Sequence, residues 1–450
     1  MPDRQWLLFE DEAYTYGEAR ERIARAAAGL SRHGVAKGDL VLATARNDPR
    51  YVFLWLATGY LGAIYVGVDP RQTDAELHGL TRQVEPALVV TDENLDELFS
   101  EPGDLDGPGP AGHDDPAVLI PTSGTTGRSK LVTQTHRAYT MAAEGFPWWL
   151  GLTEEDRLMT SLPLFHINAP AYSVLGSVAA RASLVLLPRF SASGFFDSAR
   201  RYGATQFNAI GAMLEILMRQ PERPDDADNP VRLAYAGPTP PEERHLEFER
   251  RFGLRLMSGY AMSETPYGTV WAHGTRPYGT LGVPRQHPTL GQVNEGRVNA
   301  DGELELRNPA VMKGYWNMPE ETAAVLADDG WLKTGDLVRQ NDDGTYTFLG
   351  RKKEVIRRRG ENVAPAEIEE ALASHPDVVE VAVVGVPSEL SEEDIKAFVV
   401  MREGAEADFE ALREWASGRL TAFKVPTEYE ALDELPHTAT GRVAKHRLPT

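Results

Sequence analysis

Apolar residues along the chain recur at two spacings, and the two alternate. Between residues 16 and 33, Ile23, Ala26, Ala27 and Leu30 fall on one helical face and Gly34 closes the run, which predicts a helix. Residues 40–45, 87–91, 117–120, 184–187, 206–210 and 233–236 are instead short apolar runs, the mark of buried strands. Helix and strand signals taking turns predict parallel sheets covered by helices. Residues 101–116, rich in Gly, Pro and Asp, read as a surface linker without core-forming residues. From 278 to 349 the pattern changes to short strands and turns, as in Glu303-Leu304-Glu305-Leu306 and Tyr346-Thr347-Phe348, and predicts a small β unit. Beyond Gly350 a basic segment leads into an α+β tail, with helices over 365–373 and around 409–420 and strands over 378–386 and 397–401. Ala364-Pro365 suits a helix opening, because proline is pre-set for the first helical position. No internal repeat is visible.

Residues 51–68 carry no charge and approach the roughly 20 residues that a membrane span needs. Gly59, Gly62 and Gly67 interrupt them and Asp69-Pro70 ends them, so a buried helix from 49 to about 59, a glycine turn and a strand over 63–68 fit better. The first apolar run, Trp6-Leu7-Leu8-Phe9, is too short for a secretory signal. No membrane span is expected. A length of 450 residues admits about three domains. With 46 basic against 67 acidic side chains the net charge is −21, which opposes binding to nucleic acid or anionic membrane. An anionic ligand must therefore be held by locally placed cations and backbone N–H groups. The absence of cysteine excludes disulfides, thiolate metal sites and cysteine nucleophiles, and suits a reducing cytoplasm.

The sharpest local signal follows the strand predicted over 117–120. Pro121-Thr122-Ser123-Gly124-Thr125-Thr126-Gly127-Arg128-Ser129-Lys130 is a run of small and hydroxyl residues closed by a cation. Such residues let backbone N–H groups converge into a nest for phosphate oxygens, and Lys130 adds positive charge. The spacing Gly-x-x-Gly-x-x-Lys lacks the Gly-Lys-Ser/Thr that opens a helix in a Walker loop. Composition alone leaves a flexible loop equally open; the placement of Lys130 favours phosphate.

This stretch resembles the signature loop of the adenylate-forming superfamily, which comprises acyl-CoA synthetases, luciferases and the adenylation domains of peptide synthetases. Ser258-Gly259-Tyr260-Ala261-Met262-Ser263-Glu264-Thr265 resembles its Tyr-Gly-x-Thr-Glu segment, and Thr334-Gly335-Asp336 its Thr-Gly-Asp. Gly350-Arg351-Lys352-Lys353-Glu354 is similar to its hinge. Arg359-Gly360-Glu361-Asn362-Val363 with Pro365-Ala366-Glu367-Ile368-Glu369 is similar to the start of its C-terminal domain, and Pro436-His437-Thr438-Ala439-Thr440-Gly441-Arg442-Val443-Ala444-Lys445 to its closing segment. The ordered matches cover nearly the whole chain. Pro163-Leu164-Phe165-His166-Ile167-Asn168 and Leu187-Pro188-Arg189-Phe190-Ser191 most resemble acyl-CoA synthetases of the crotonobetaine/carnitine-CoA ligase type.

The resemblance implies an α/β fold: a large N-terminal domain of two α/β subdomains plus a small β unit, residues 1–350, and a smaller mobile α+β C-terminal lid, residues 351–450. It implies an enzyme that joins a small carboxylic acid to ATP, releasing pyrophosphate and forming acyl-AMP, and then transfers the acyl group to the thiol of coenzyme A. Thr122, Ser123, Gly124, Thr125, Thr126, Gly127 and Lys130 would hold phosphates. Glu264, beside Ser263, would ligate Mg²⁺, a hard cation suited to oxygen ligands; alone it reads as a surface glutamate at a helix start. Tyr260 would stack on adenine, with Gly237 and Pro238 along the base edge, and Asp336 would accept from the ribose hydroxyls with Arg351 nearby. His166, Asn168, Gly211, Ala212 and Met262 would line the acyl pocket. Lys353 would sit at the hinge, and Arg357, Arg359, Gly360 and Glu361 would face CoA after the lid rotates. Residues 351–359 hold six cations and one acid, a local reversal of the overall charge. A monomer or homodimer with no nucleic-acid partner is expected.

Two departures stand out. The closing segment of the family places Lys after Thr-Gly, where this chain has Arg442, whose longer planar fork is no simple replacement for an ammonium. Set against the family, the chain also reads as short, with the usual leading segment expected to be missing and the stretch 291–303 expected to be trimmed. Two alternatives accompany the synthetase reading: an adenylating ligase that serves a carrier protein, and a weakly or non-adenylating protein that binds nucleotide or acyl-adenylate.

Overall fold

The computed structural model describes residues 1–44, 46–122, 130–237, 240–272, 274–358, 361–388, 393–437 and 443–449, with backbone only at 361 and 362. The described chain forms two compact units, Met1–Gly296 with Leu306–Leu332, and Arg297–Glu305 with Lys333–Thr450.

In the first unit, local chemistry starts and stops the helices. The Thr15 hydroxyl accepts from the N–H of Glu18 while the Glu18 carboxylate accepts from the N–H of Thr15, and this capping box opens helix Tyr16–Arg32. Asp48 caps helix Pro49–Tyr60, whose first residue is proline. The uncharged stretch 51–68 resolves into that helix and strand Ile64–Val68, joined through Gly62 at φ +70°. No helix among the described residues is long and apolar enough to cross a membrane.

Strands from distant parts of the chain assemble two sheets. One has nine strands in the order Val283–Pro284, Thr265–Val270, Arg255–Met262, Leu233–Ala236, Gln206–Ala209, Arg157–Thr160, Ser183–Leu186, Gln5–Phe9, Glu12–Thr15. The other has six, in the order Gly314–Tyr315, Lys130–Thr135, Pro116–Thr122, Ile64–Val68, Leu40–Thr44, Leu88–Val90. Both are parallel in the middle, as the alternation predicts; the nine-stranded sheet is antiparallel at both ends, while the six-stranded one is antiparallel only at the end formed by Lys130–Thr135 and Gly314–Tyr315, Leu88–Val90 at its other edge running parallel. In the six-stranded sheet the two faces read off alternate residues. Val41, Ala43, Tyr65, Val118 and Ile120 join the main core, while Leu42, Ile64, Val66 and Leu119 face helix Asp74–Val84. Leu7, Leu158, Val185 and Phe207 of the nine-stranded sheet belong to the same main core, together with helices Tyr16–Arg32, Pro49–Tyr60 and His136–Leu150.

Two expectations need amendment. Leu105, in the stretch read as a linker without core residues, packs against the main core. Gly103 and Gly109 of that stretch lie so close to the carbonyls of Ala24 and Tyr60 that a side chain would collide with them. The strands of 278–349 also do more than build one β unit. Val283–Pro284 joins the nine-stranded sheet, Gly314–Tyr315 joins the six-stranded one, and helix Pro319–Val325 interrupts them.

The chain passes between the units within strands Glu295–Val298, Glu303–Arg307 and Leu332–Gln340, which form a four-stranded sheet with Tyr346–Arg351. The rest of the second unit is the predicted α+β tail. Strands Val378–Pro387, Glu393–Met401 and Glu428–Ala431 carry helices Pro365–Ala373 and Phe409–Ser417 on one face through Ile368, Leu372, Val383, Ile395, Leu412 and Ala416. Arg357 and Arg358 lie in hairpin strand Ile356–Arg358, paired with Glu361–Val363.

Burial pushes the phenols of Tyr16 and Tyr51 up to about 12 and those of Tyr65 and Tyr139 further. The unfolded chain surrenders these protons first, near pH 10. Their contribution to stability is therefore full below about pH 10 and lost as pH rises through the folded values. We expect the melting temperature to fall steeply above about pH 10 and Tyr65→Phe to lessen that fall in thermal melts.

Candidate active site

Thr122 and Lys130 are partners in the antiparallel pair of strands Pro116–Thr122 and Lys130–Thr135, and the Thr122 hydroxyl donates to the Lys130 carbonyl at 3.1 Å. The segment between them begins and ends at neighbouring positions, so Lys130 stands where the glycine- and hydroxyl-rich run finishes. Strand Gly314–Tyr315 pairs with Lys130–Thr135 on its other side, Tyr315 opposite Val132. The Lys130 ammonium lies 4.7 Å from the centre of the Tyr315 ring. The Tyr315 hydroxyl donates to Glu264 Oε1 at 2.9 Å. Burial and the adjacent Glu264 carboxylate push this phenol well above the usual tyrosine range, so it remains a donor.

Backbone bonds fix these three residues. Trp316 N–H donates to the Leu131 carbonyl at 2.8 Å and Lys313 N–H to that of Thr133 at 3.0 Å. Met312 N–H donates to the Glu264 carbonyl at 2.8 Å, and the Gln134 amide donates to that of Ser263 at 2.6 Å. Gly314 has φ +135°, and a side chain there would strike Thr322, so glycine is required. Glu264 lies in the turn between strands Arg255–Met262 and Thr265–Val270, not at a helix start. Tyr315 and Gln134 escaped sequence reasoning; the only hint was the Gly-Tyr pair after an apolar Val-Met.

Gly237 follows strand Leu233–Ala236, and its backbone is pressed so close to the Gly259 carbonyl that any side chain would collide. This leaves a bare backbone edge beside Tyr260, which is half-buried with its hydroxyl 3.8 Å from Met262 Sδ.

Two amide chains position the expected acyl pocket. Buried Asn47 donates to the carbonyls of Leu162 and Leu187 at 3.0 Å each and accepts from Leu164 N–H at 3.1 Å. It therefore fixes the stretch that leads to His166, whose ring lies 4.6 Å from that of Phe165. Gln206 donates to Asn208 at 2.7 Å, and Asn208 donates to Asn168 at 2.8 Å. Gly211 and Ala212 open helix Gly211–Met218, which follows the same strand Gln206–Ala209, so Asn168 and this helix start are tied to one strand. Asn47 had no motif to mark it.

In the second unit, Asp336 and Arg351 face each other across strands Leu332–Gln340 and Tyr346–Arg351, Arg351 Nε 2.7 Å from Asp336 Oδ1. Asp336 is buried. Buried Glu303 accepts from Gly335 N–H at 2.8 Å and pairs with Lys352 at 3.1 Å, so it shapes the Thr-Gly-Asp turn. Lys353 is exposed in the short turn Lys352–Glu354, and Arg357 is exposed with its N–H donating to Glu393 at 2.7 Å. Ser123, Gly124, Thr125, Thr126, Gly127, Pro238, Arg359, Gly360 and Arg442 lie outside the described residues, as does the side chain of Glu361. The described candidates thus fall into two groups, one in each unit: Thr122, Lys130, Gly237, Tyr260, Met262, Ser263, Glu264, His166, Asn168, Gly211 and Ala212 in the first, and Asp336, Arg351, Lys353 and Arg357 in the second.

Comparison with known proteins identifies the family. The profile described as AMP-binding enzyme matches residues 1–316, and that of the AMP-binding enzyme C-terminal domain matches residues 367–442. The crotonobetaine/carnitine–CoA ligase of Salmonella heidelberg (strain SL476) is 30% identical, across 99% of this chain and 96% of that protein. The structure of ATP-bound MatB from Rhodopseudomonas palustris superposes with a TM-score of 0.92 at 27% identity, covering 99% of this chain and 95% of that one. The o-succinylbenzoate CoA synthetase of Bacillus subtilis, solved with its acyl-adenylate intermediate, gives a TM-score of 0.88 at 28% identity over the same shares. The chain belongs to the AMP-binding enzyme family, within the adenylate-forming superfamily.

Tyr315 offers two separable contacts. Tyr315→Phe removes the donor to Glu264 and keeps the ring beside Lys130; Tyr315→Leu removes both. We expect ATP affinity, measured by calorimetry, to fall roughly three- to tenfold in the first variant and further in the second. Equal affinities in the two variants would deny the ring its role.

Proposed function

We propose that this chain, an ATP-dependent acyl-CoA synthetase, activates a small carboxylic acid as acyl-AMP and hands the acyl group to CoA, with the roles divided between its two groups of residues. One observation carries the reading: Lys130 and Glu264 share a single phenol, the ammonium against the ring of Tyr315 and the carboxylate on its hydroxyl, so each charge is placed by a neutral partner. Lys130 and the 122–127 loop suit a polyphosphate; Glu264 suits the cation that accompanies it. Among the described residues no group of three or more His, Asp or Glu could hold a metal. A single carboxylate fits Mg²⁺, which keeps several waters and leans on substrate phosphates. When bound, Mg²⁺ would neutralise phosphate charge. Tyr260 and the bare backbone at Gly237 suit an adenine face and edge, with Pro238 next in sequence. Asp336, oriented by Arg351, suits the ribose hydroxyls. His166, Asn168, Gly211, Ala212 and Met262 suit the acyl pocket.

In the first step a carboxylate oxygen attacks the α-phosphorus and the bond to pyrophosphate breaks. No protein nucleophile is needed, so catalysis is positioning and charge stabilisation. In the second the CoA thiol attacks the acyl carbon and AMP leaves. Residues 351–450 act as the lid in this reading, with Lys353 at its hinge and Arg357, Arg359, Gly360 and Glu361 serving the thiol step. Arg442 serves the first. Lys445 is no substitute, since its ammonium is held by Glu369 at 2.7 Å and Glu354 at 3.4 Å. A cytoplasmic location belongs to the same reading.

The deciding experiment is a thioester-formation screen of carboxylic acids with CoA and with a carrier-protein thiol; product only on the carrier would replace CoA as the acceptor. Glu264→Gln should raise the Mg²⁺ concentration required for activity, and an unchanged metal dependence would make Glu264 structural. Gly360→Leu should block thioester formation while leaving pyrophosphate exchange largely intact. Arg442→Ala should do the reverse, converting supplied acyl-AMP but failing to make it. Loss of both half-reactions in each variant would reject the division.

A further inference from the structure

Arg285 follows the short strand Val283–Pro284 and is fully buried. Its guanidinium carbon lies 4.4 Å from the ring centre of Trp149, 5.2 Å from Tyr172 and 5.9 Å from Tyr235. Nε donates to the Thr269 carbonyl at 3.1 Å, and Nη1 to the Tyr172 hydroxyl at 2.7 Å and the Pro266 carbonyl at 2.9 Å. Nη2 donates to the Tyr235 hydroxyl. The Tyr172 hydroxyl in turn donates to the same Pro266 carbonyl. Every one of these acceptors is neutral. A buried arginine ordinarily has a carboxylate partner, and an apolar side chain would fill the space at lower cost. What the fork does, and an apolar group cannot, is hold several separately anchored groups at a set spacing.

Those groups lead to the site from three directions. Tyr172 belongs to the π-helical segment Ala169–Val174, which starts directly after Asn168. Such wide turns concentrate at functional sites. Pro266 lies two residues beyond Glu264, and Tyr235 two residues before Gly237. We infer that Arg285 is a positioning residue that sets the spacing between the acyl-pocket wall at Asn168 and the Glu264 turn, and thereby the size of acid the enzyme accepts. The inference rests on the acyl-pocket reading above.

Two variants test it in the full-length enzyme. Tyr172→Phe keeps the ring stacked on Phe146, 5.1 Å away, and deletes the hydroxyl shared by Arg285 and Pro266. Arg285→Lys keeps the charge and loses the fork. Acid-dependent pyrophosphate exchange over a series of acids of increasing length gives KM for acid and for ATP, with thermal melts alongside. Both variants should raise KM for the preferred acid by roughly tenfold and shift the preferred chain length, with KM for ATP little changed. If Arg285→Lys does not fold, Tyr172→Phe decides. A lowered melting temperature with unchanged acid KM would make Arg285 merely structural, and wild-type acid selectivity in Arg285→Lys would refute the fork. Asn168→Ala separates the two claims. An acid KM raised by Asn168→Ala but untouched by Tyr172→Phe overturns the positioning role alone, while an acid KM untouched by Asn168→Ala overturns the pocket reading itself.

Discussion

A site for a polyphosphate and its metal needs a cation and a carboxylate close together, and two such groups left alone form an ion pair. Nucleotide would then have to break that pair before it could bind. Tyr315 removes the problem. Its ring takes the ammonium of Lys130 and its hydroxyl takes the carboxylate of Glu264, so each charge is placed by a neutral partner that leaves its sign intact. The interaction depends on a two-residue strand at a sheet edge, which exists because Gly314 adopts a conformation closed to other residues and because Trp316 and Lys313 bond to the neighbouring strand. The six-stranded sheet, the Glu264 turn and the start of helix Pro319–Val325 meet at this point.

The second unit handles the same difficulty by the opposite means. Asp336 and Arg351 are paired directly, and Asp336 is buried. A buried pair gains little net stability but breaks at high cost, so it fixes geometry better than it stabilises the fold. Glu303 supports the pair by gripping the turn at Gly335 and the side chain of Lys352. In the proposed reading, a carboxylate that accepts neutral hydroxyls can keep its counter-ion, and a cation that meets phosphate cannot. The two arrangements follow from what each group must do.

Local signals in the sequence carried the helices and central strands. Residues 16–33 became helix Tyr16–Arg32, and Ala364-Pro365 opened helix Pro365–Ala373. Strand Gln5–Phe9 was visible only as an apolar run; it pairs with nearby Glu12–Thr15 and with Ser183–Leu186, and the second pairing, far along the chain, leaves no local mark. The site divides in the same way. Lys130 could be proposed from its placement after the hydroxyl-rich run, while Glu264 and Asp336 became candidates only through the family resemblance of their segments. Tyr315, Asn47, Glu303 and Arg285 could not, since each acts by bridging backbone or side chains brought together only by the fold. Asn47 joins the ends of two strands through three backbone bonds, yet its sequence neighbours, Arg46 and Asp48, read as loop.

The exchange of lysine for Arg442 bears on how the two charged strategies combine. An ammonium is a point charge that can serve a carboxylate and a phosphate in turn by small rotations. A guanidinium is a planar fork that serves two oxygens at once and tolerates little misplacement. In the proposed reading, a chain that carries Arg there holds acid and nucleotide more rigidly than one with Lys. The chain commits its nearby alternative, Lys445, to Glu369 and Glu354, so the Arg is not backed by a spare ammonium. Rigid placement of the acid is also the role inferred above for the buried guanidinium bonded to Tyr172, Tyr235, Pro266 and Thr269 in the first unit. In the proposed reading, a buried arginine with only neutral partners and a forked cation in the closing segment are two consequences of one demand, that the reacting oxygens be set in place by geometry before the charge arrives.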